Sequence, residues 1–399
     1  MTNFSKKQII DFSFAIPAIF GFSGLFLYPD ANKELALLIF ILFLFSIPCF
    51  GYRKIKENVC NRKVSWLFIT MSIIALIAKT THGYSSSELR VLIALSLYSI
   101  IIPENTLKLL KKYLPQLTCI GCFVSFFYCF YEAIILNTPR IHWGINPIPY
   151  STFTAAVVIS SLWFVFNHPK KSIKIGCTFA SVIGVSAILI SQTRGTFLAL
   201  LISLIYLLIT SKINKTILLK FISSLFIITF ILSYFNFNKI EQRYIQTKIE
   251  YTNIINGNLN TSIGNRLQMW HAGFELAKEP TLLGLGNDHI KEKQKLYEEH
   301  RIVKEAVPWG HYHNQYITSF IKNGIIGFIL LICLFIIPIS HARNNKKRKT
   351  SCTDLGILVL IIYLVSSLTD IPLTQAVTLA FYGLFMLIVT LGDEATDID

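Results

Sequence analysis

The sequence predicts an all-α polytopic membrane protein, with about 12 transmembrane helices and one large hydrophilic loop. Three observations carry that prediction. Hydrophobic residues make up 53% of the 399-residue chain and charged residues 15%, against roughly 25% charged in soluble domains. Mean hydropathy is +0.55, and runs such as 36–51 hold more apolar surface than one soluble core could bury. Apolar windows of roughly 17–22 residues, the length needed to cross a bilayer, recur along the chain. A soluble enzyme and a disordered or fibrous chain are both excluded.

In order, the windows fall near 9–28, 34–52, 64–80, 90–103, 115–136, 150–167, 175–191, 196–211, 219–236, 316–340, 355–369 and 374–392. Two of them, 90–103 and 355–369, are short, so eleven spans is the lower count. The run behind Lys6 and Lys7 reaches Tyr28 without a small-x-small cleavage site, so it stays as the first span. The expected organisation is 1–236 as spans one to nine, 237–315 as a loop with short helices, and 316–399 as the last three spans and a cytoplasmic tail.

Lysine and arginine set the orientation. With the N-terminus in the cytoplasm, the inner segments hold 21 Lys/Arg: Lys6 and Lys7, five in 53–63, three each in 103–115, 168–174 and 211–220, and five in 341–354. The short outer loops hold five: Lys33, Lys79, Arg90, Arg140 and Arg194. This positive-inside bias turns the 237–315 loop outward, which in a bacterium means an inner-membrane protein with a periplasmic loop. The net charge of +15 is therefore topology and contact with membrane lipids, and no nucleic-acid partner is expected. None of the eight cysteines lies in an outer loop, where an oxidising compartment would pair them. Cys119-x-x-Cys122 sits inside an apolar span and is read as packing residues, with no zinc or disulfide. Charge at mid-membrane depth is nearly absent, since Glu132 and Lys322 fall near outer span ends. That weakens a transporter reading.

Unusual polar residues cluster in three places on the outer side. Ser191-Gln192-Thr193-Arg194-Gly195-Thr196 is a tight turn between spans. An arginine so close to hydrocarbon either snorkels or is paired with an anion. Second, Asn265 with Gln268 reads as a capping box, with Leu267, Trp270, Phe274 and Ala277 as the apolar face of the following helix. Arg266 then falls in the first turn, beside free N–H groups suited to a phosphate. Third is His311-Tyr312-His313-Asn314-Gln315, just before a span, followed by Gly324 and Gly327, which would allow close helix packing. The charges in 288–305 are matched, Lys291, Lys293, Lys295, Arg301 and Lys304 against Asp288, Glu292, Glu298, Glu299 and Glu305, and read as a solvated face. Asp397-Ile398-Asp399, at the tail, carries no expected chemistry.

At these residues the chain resembles the bacterial O-antigen ligases, within a family that also holds O-antigen polymerases and protein O-oligosaccharyltransferases. The shared features are His313-Asn314 followed by nine residues and Gly324-x-x-Gly327, the arginine turn at Arg194, and Arg266-x-x-x-Trp270. Pro280-Thr281-Leu282-Leu283-Gly284-Leu285-Gly286 matches a further family turn. The resemblance implies a helical architecture like the lipid-linked-sugar (GT-C type) glycosyltransferases. It also implies transfer of a polysaccharide from undecaprenyl diphosphate to a sugar of lipid A–core, the two substrates being the partners.

That chemistry needs cations on the leaving oxygens and a base for the incoming hydroxyl. Arg194 and Arg266 are suited to clamp a diphosphate in a bidentate manner. His313 is the expected general base, because its spacing to Gly324 and Gly327 fits the motif, and His311 is its rival. Nearby arginines are expected to keep His313 neutral. Trp270, His311 and Asn314 complete the expected substrate-binding set. No metal, ATP or other cofactor is expected; a divalent-cation requirement would instead point to Asp288 and Asp370. The alternatives are an O-antigen polymerase using the same residues and, in another class, a lipid-linked-sugar flippase.

Overall fold

A computed structural model describes residues 6–211, 237–344 and 351–391, all of whose regular structure is helical. The helices are α1 (Lys6–Phe22), α2 (Ala31–Asn61), α3 (Lys63–Thr81), α4 (Ser86–Ile101), α5 (Glu104–Lys112), α6 (Leu114–Phe130), α7 (Pro147–Asn167), α8 (Lys171–Ser191) and α9 (Arg194–Thr210). They continue as α10 (Phe237–Ile255), α11 (Ser262–Leu276), α12 (His289–Glu298), α13 (Gln315–Asn344), α14 (Ser351–Ser366) and α15 (Ala376–Leu391). Seven stretches, in α1–α3, α6–α8 and α13, are long and apolar enough to cross a membrane, and the bent α4–α5 pair would make an eighth. α9, α14 and α15 are apolar but shorter. The expected span at 219–236 lies outside the described residues.

Two boundaries differ from the sequence expectation, each for a local reason. α2 runs on to Asn61 past a break at Gly51 (φ 73°), because charge marks the membrane edge rather than a helix end. Arg53 and Lys54 pair with Glu57 one turn on, both at 3.5 Å, a spacing that supports helix. The expected 103–115 inner loop instead contains α5, bent 105° away from α4. Ile102 is extended (ψ 123°), as the residue before a proline prefers to be.

The bundle is organised around α7, whose apolar window is 89% buried against 22% for α2. Lipid is as apolar as leucine, so packing here depends on small residues that let helices approach. α7 supplies Ser151, Thr154, Ala155, Ala156 and Ser160, each at most 1% exposed. A Cβ on Gly121 of α6 or Gly184 of α8 would lie within 2.8 Å of Val157 or 2.4 Å of Val158. Cys122, fully buried beside Ser161, belongs to the same small-residue seam, as the sequence led us to expect.

The hydrophilic segment folds as α10–α12 over one end of the bundle and is tied down by two small cores. Ala272, Leu296, Ile302 and Ala306 form one; Met269, Tyr312 and Ile321 form the other and join α11 to the start of α13. A backbone crossing adds a third tie. α13 breaks at Gly324 (φ 68°), so the Ile325 and Ile326 N–H groups donate to the Thr281 and Leu282 carbonyls, and Leu285 N–H donates to Ile321 O, at 2.9–3.1 Å. A Cβ on Gly284 would stand 2.3 Å from Lys322 O, and one on Gly324 2.3 Å from Gly284 N. Gly324 thus serves, with Gly284, a crossing of loop and helix backbones rather than the helix–helix packing expected of it. A Cβ on Gly327 would stand 2.1 Å from Asn323 Cβ of the same helix.

Candidate functional site

Three chain segments far apart in sequence meet at the covered end of the bundle. The first is the α8–α9 turn. Gln192 takes a left-handed conformation (φ 53°) and reverses the chain, and Arg194 opens α9. The turn is held from below by hydroxyls, Ser191 to Thr193 at 2.9 Å and Ser151 to Thr196 at 2.6 Å. Arg194 Nη1 lies 3.8 Å from Glu250 Oε2 on α10.

The second segment is α11, which starts earlier than the capping-box reading placed it. Thr261 is the N-cap, its hydroxyl accepting from Gly264 N–H at 3.0 Å. Arg266 is therefore in the second turn, away from the free N–H groups. Its site is electrostatic instead: burial, then Arg194, lower the guanidinium's pKa, while Asp370 and Glu250 oppose them. Two arginines and two acids thus sit within range of one another. The expected apolar face also points the other way. Leu267 and Phe274 are exposed, whereas Met269, Ala272 and Gly273 are buried.

The third segment is 309–315 with the α14–α15 turn. His313 is left-handed (φ 44°) and places its ring edge-on to His311, 4.4 Å between centroids, and to Trp309 at 5.7 Å. His313 Nδ1 is 3.3 Å from Asp370 Oδ1, and Asp370 is 4% exposed. Burial, then the neighbouring His313, push His311 down to about 4. His311, His313 and Asp370 each offer a donor atom within 4.8 Å of the other two, so this trio is where a divalent cation would fit. Asp288, the other acid held in reserve for that role, is paired with Lys291 at 2.8 Å.

Two residues expected to bind substrate have structural partners. Asn314 Oδ1 caps α13, accepting from Tyr316 and Ile317 N–H, and its amide donates to Leu368 O at 3.2 Å. The Trp270 indole donates to Tyr312 O at 3.0 Å and so fixes the backbone between the two histidines. Gln315 works beside Asn314. Its amide spans the Thr374 hydroxyl and Leu373 N–H, both at 2.9 Å, and its backbone N–H donates to Ser367 O at 2.8 Å. Asn314 and Gln315 together staple the turn that presents Asp370. Gly195 lets α9 abut the same turn, since a Cβ there would lie 2.5 Å from Thr369 Oγ1.

Lys293 also departs from expectation. It is not part of a solvated ion-paired face but 1% exposed. Its Nζ donates to Ala306 O at 3.0 Å and Trp309 O at 2.6 Å, which holds the segment leading into the histidines. Other pairs of that stretch do form at the surface, as Lys295–Glu292 at 2.8 Å and Arg301–Glu299 at 3.1 Å, although Arg301 also reaches Glu275 on α11 at 2.7 Å.

The sequence reading left Glu250 outside the site and held Asp370 only in reserve, as a metal ligand. Asp370 lies in an apolar stretch, and an acid there is costly unless paired; that was its one available signal. Glu250 is one of several charged residues in α10 and carried none.

Residues 179–332 match a family model described as O-antigen ligase, a range that includes Arg194, Arg266, His311, His313 and both motif glycines but not Asp370. The chain is similar to an uncharacterized protein of Haemophilus influenzae, 29% identical over 62% of this chain and 62% of that protein. It is also similar to the O-antigen ligase of Escherichia coli, 28% identical over 61% of this chain and 58% of that one. The match thus spans about three-fifths of either relative's length. A shorter likeness, 30% over 82 residues, is to the exopolysaccharide production protein ExoQ of Rhizobium meliloti. These matches support assigning the chain to the O-antigen ligase family.

Proposed function

We propose that this chain is a member of the O-antigen ligase family and an inner-membrane glycosyltransferase. It moves a polysaccharide from undecaprenyl diphosphate to a sugar hydroxyl of lipid A–core on the periplasmic side. The observation that carries the proposal is the meeting of Arg194, Arg266 and the His313–Asp370 pair at one end of the bundle.

The reaction forms a bond between the acceptor oxygen and the sugar's anomeric carbon and breaks that carbon's bond to the diphosphate. Negative charge grows on the leaving diphosphate, and two guanidiniums that lie within electrostatic range of each other would be stabilised by an anion between them. The acceptor hydroxyl gives its proton to His313, whose Nδ1 is oriented by Asp370, as a buried carboxylate orients a catalytic imidazole elsewhere. The donor diphosphate stores the free energy, so neither nucleotide nor metal enters a step. One second reading is polymerisation, in which the acceptor is another lipid-linked repeat; the likeness to a protein of exopolysaccharide production is compatible with it.

The test is transfer by purified protein from lipid-linked donor to rough lipopolysaccharide, without nucleotide and with EDTA. Product formation is expected, with loss in Arg266→Lys and Arg194→Lys on the order of a hundredfold, because an ammonium cannot present two parallel donors. Product only with a second lipid-linked repeat would select the polymerase. Movement of donor across vesicles with no new glycosidic bond would overturn both and favour a flippase. Activity lost to EDTA and restored by a divalent cation would move the charge neutralisation to the His311–His313–Asp370 trio.

A further inference from the structure

α11 carries a narrow apolar stripe in which Ile263, Leu267 and Phe274 stay exposed among the described residues, while Trp270 between them is half-buried, its indole bonded to Tyr312 O. Ile263, Leu267, Trp270 and Phe274 recur at helical spacing, i, i+4, i+7 and i+11, and so share one face. Ile263, Leu267 and Phe274 are 39%, 42% and 61% exposed, and Leu282, just beyond the helix, is 67% exposed. The opposite side packs inward through Met269, Ala272 and Gly273. Both flanks of the stripe are polar or small: His271 and Glu275 on one, Arg266 and Gly273 on the other.

What this face meets follows from where the helix is docked. Its inner side rests on the first two turns of α13: Gly273 abuts Ile317, and the Met269 core takes in Ile317, Phe320 and Ile321. α13 then runs on as one of the long membrane-crossing helices. A helix packed against the entry turns of a span lies at the depth of the lipid headgroups and first methylenes. An apolar face there, with a Trp in it and charges at its margins, has the composition of an interfacial helix. α10 repeats the pattern. Tyr244, Tyr251 and Ile255 share an outward face, 65–69% exposed, while Glu250, from another face of that helix, reaches Arg194.

We propose that α11 lies in the membrane interface with Ile263, Leu267 and Phe274 inserted in the adjoining lipid leaflet, and that this insertion holds Arg266 at headgroup depth. The partner surface is the bilayer itself. The consequence for function, which rests on the reading above, is that a lipid-borne diphosphate meets Arg266 by lateral diffusion, without leaving the leaflet.

The test places a bimane fluorophore at residue 263, 267 or 274, or at 271 as the polar-face control, on full-length protein whose other cysteines are replaced and whose fold is checked by thermal melting. The protein is reconstituted in nanodiscs. Lipids carrying a nitroxide near the headgroup should quench the three stripe positions several-fold more than 271, and aqueous iodide should show the reverse order. Equal quenching by lipid at 274 and 271 would overturn the proposal. So would protection from both quenchers that varies with the number of protein copies per disc, which would mean a second copy covers the stripe. In transfer assays, Leu267→Ser/Phe274→Ser should raise KM for the lipid-linked donor several-fold at unchanged kcat. Lipid quenching without any transfer by the parent protein would leave the insertion standing and remove the enzymatic reading instead.

Discussion

At the scale of single residues, the informative pair is His313 with Asp370, 3.3 Å apart and 57 positions apart in sequence. If Asp370 orients the proposed base, Asp370→Asn should keep the protein folded and lower transfer about a hundredfold or more, within the range of roughly a hundredfold to ten-thousandfold that general-base catalysis contributes. His313→Ala should abolish transfer while donor binding persists, and His311→Ala should be milder. An active His313→Ala with a dead His311→Ala would reassign the base. A second prediction concerns acid stability. His289 is 1% exposed, bonded to the Tyr312 hydroxyl at 3.0 Å, and pushed down to about 3 by burial and then by Lys293. Its folded pKa lies below the unfolded value of 6.5, so between those values the unfolded chain binds more protons. Its neutral form is compatible with the fold at and above pH 6.5, and stability falls as pH drops from there toward 3. Thermal melts between pH 7.5 and 4.5 should show this loss, and His289→Gln should flatten it.

At the scale of elements, backbone geometry explains residues that side-chain chemistry does not. Gly284 and Gly324 are left-handed, and each would drive a Cβ to about 2.3 Å from backbone of the other segment. No side chain can rotate out of that contact, so Gly324→Ala and Gly284→Ala should each cost several kcal/mol, from strain at positive φ and lost crossing bonds together. Purified yield and melting temperature check this. Gly327→Ala would set its Cβ 2.1 Å from Asn323 Cβ of the same helix, so it should also lower the melting temperature, though by less, because no crossing bond is lost with it. Asn314 acts at this scale too. As an N-cap, its replacement by Ala should cost roughly 1 kcal/mol, and it should also loosen the Asp370 turn.

At the scale of the whole molecule, the question is which side of the membrane the site faces. The structure gathers the α8–α9 turn, α10–α12, the start of α13 and the α14–α15 turn at one end. Charge counting assigned all of these to the outside. Single cysteines near Asn258 and Lys171, in a background without other cysteines, should separate cleanly: in intact spheroplasts an impermeant reagent should label 258 and spare 171. The inverse pattern would turn the site toward the cytoplasm and remove both proposed substrates from its reach.

The sequence by itself determined the class of molecule, because apolar length and the bias of lysine and arginine are properties of segments and need no partner. It also located Arg194, Arg266 and His313, whose types and spacings stand out locally. Only the tertiary structure decided what lies beside them. The acids beside them are distant in sequence, so no spacing pointed to Asp370 as the partner of His313 or to Glu250 as that of Arg194. The start of α11 was misplaced because Asn265 and Thr261 are both competent caps, and the choice belongs to the packing of Gly264 and Met269. The same packing turned Leu267 and Phe274 outward. A helical period reports that residues share a face; it does not report what that face meets, which for this helix depends on where α13 holds it.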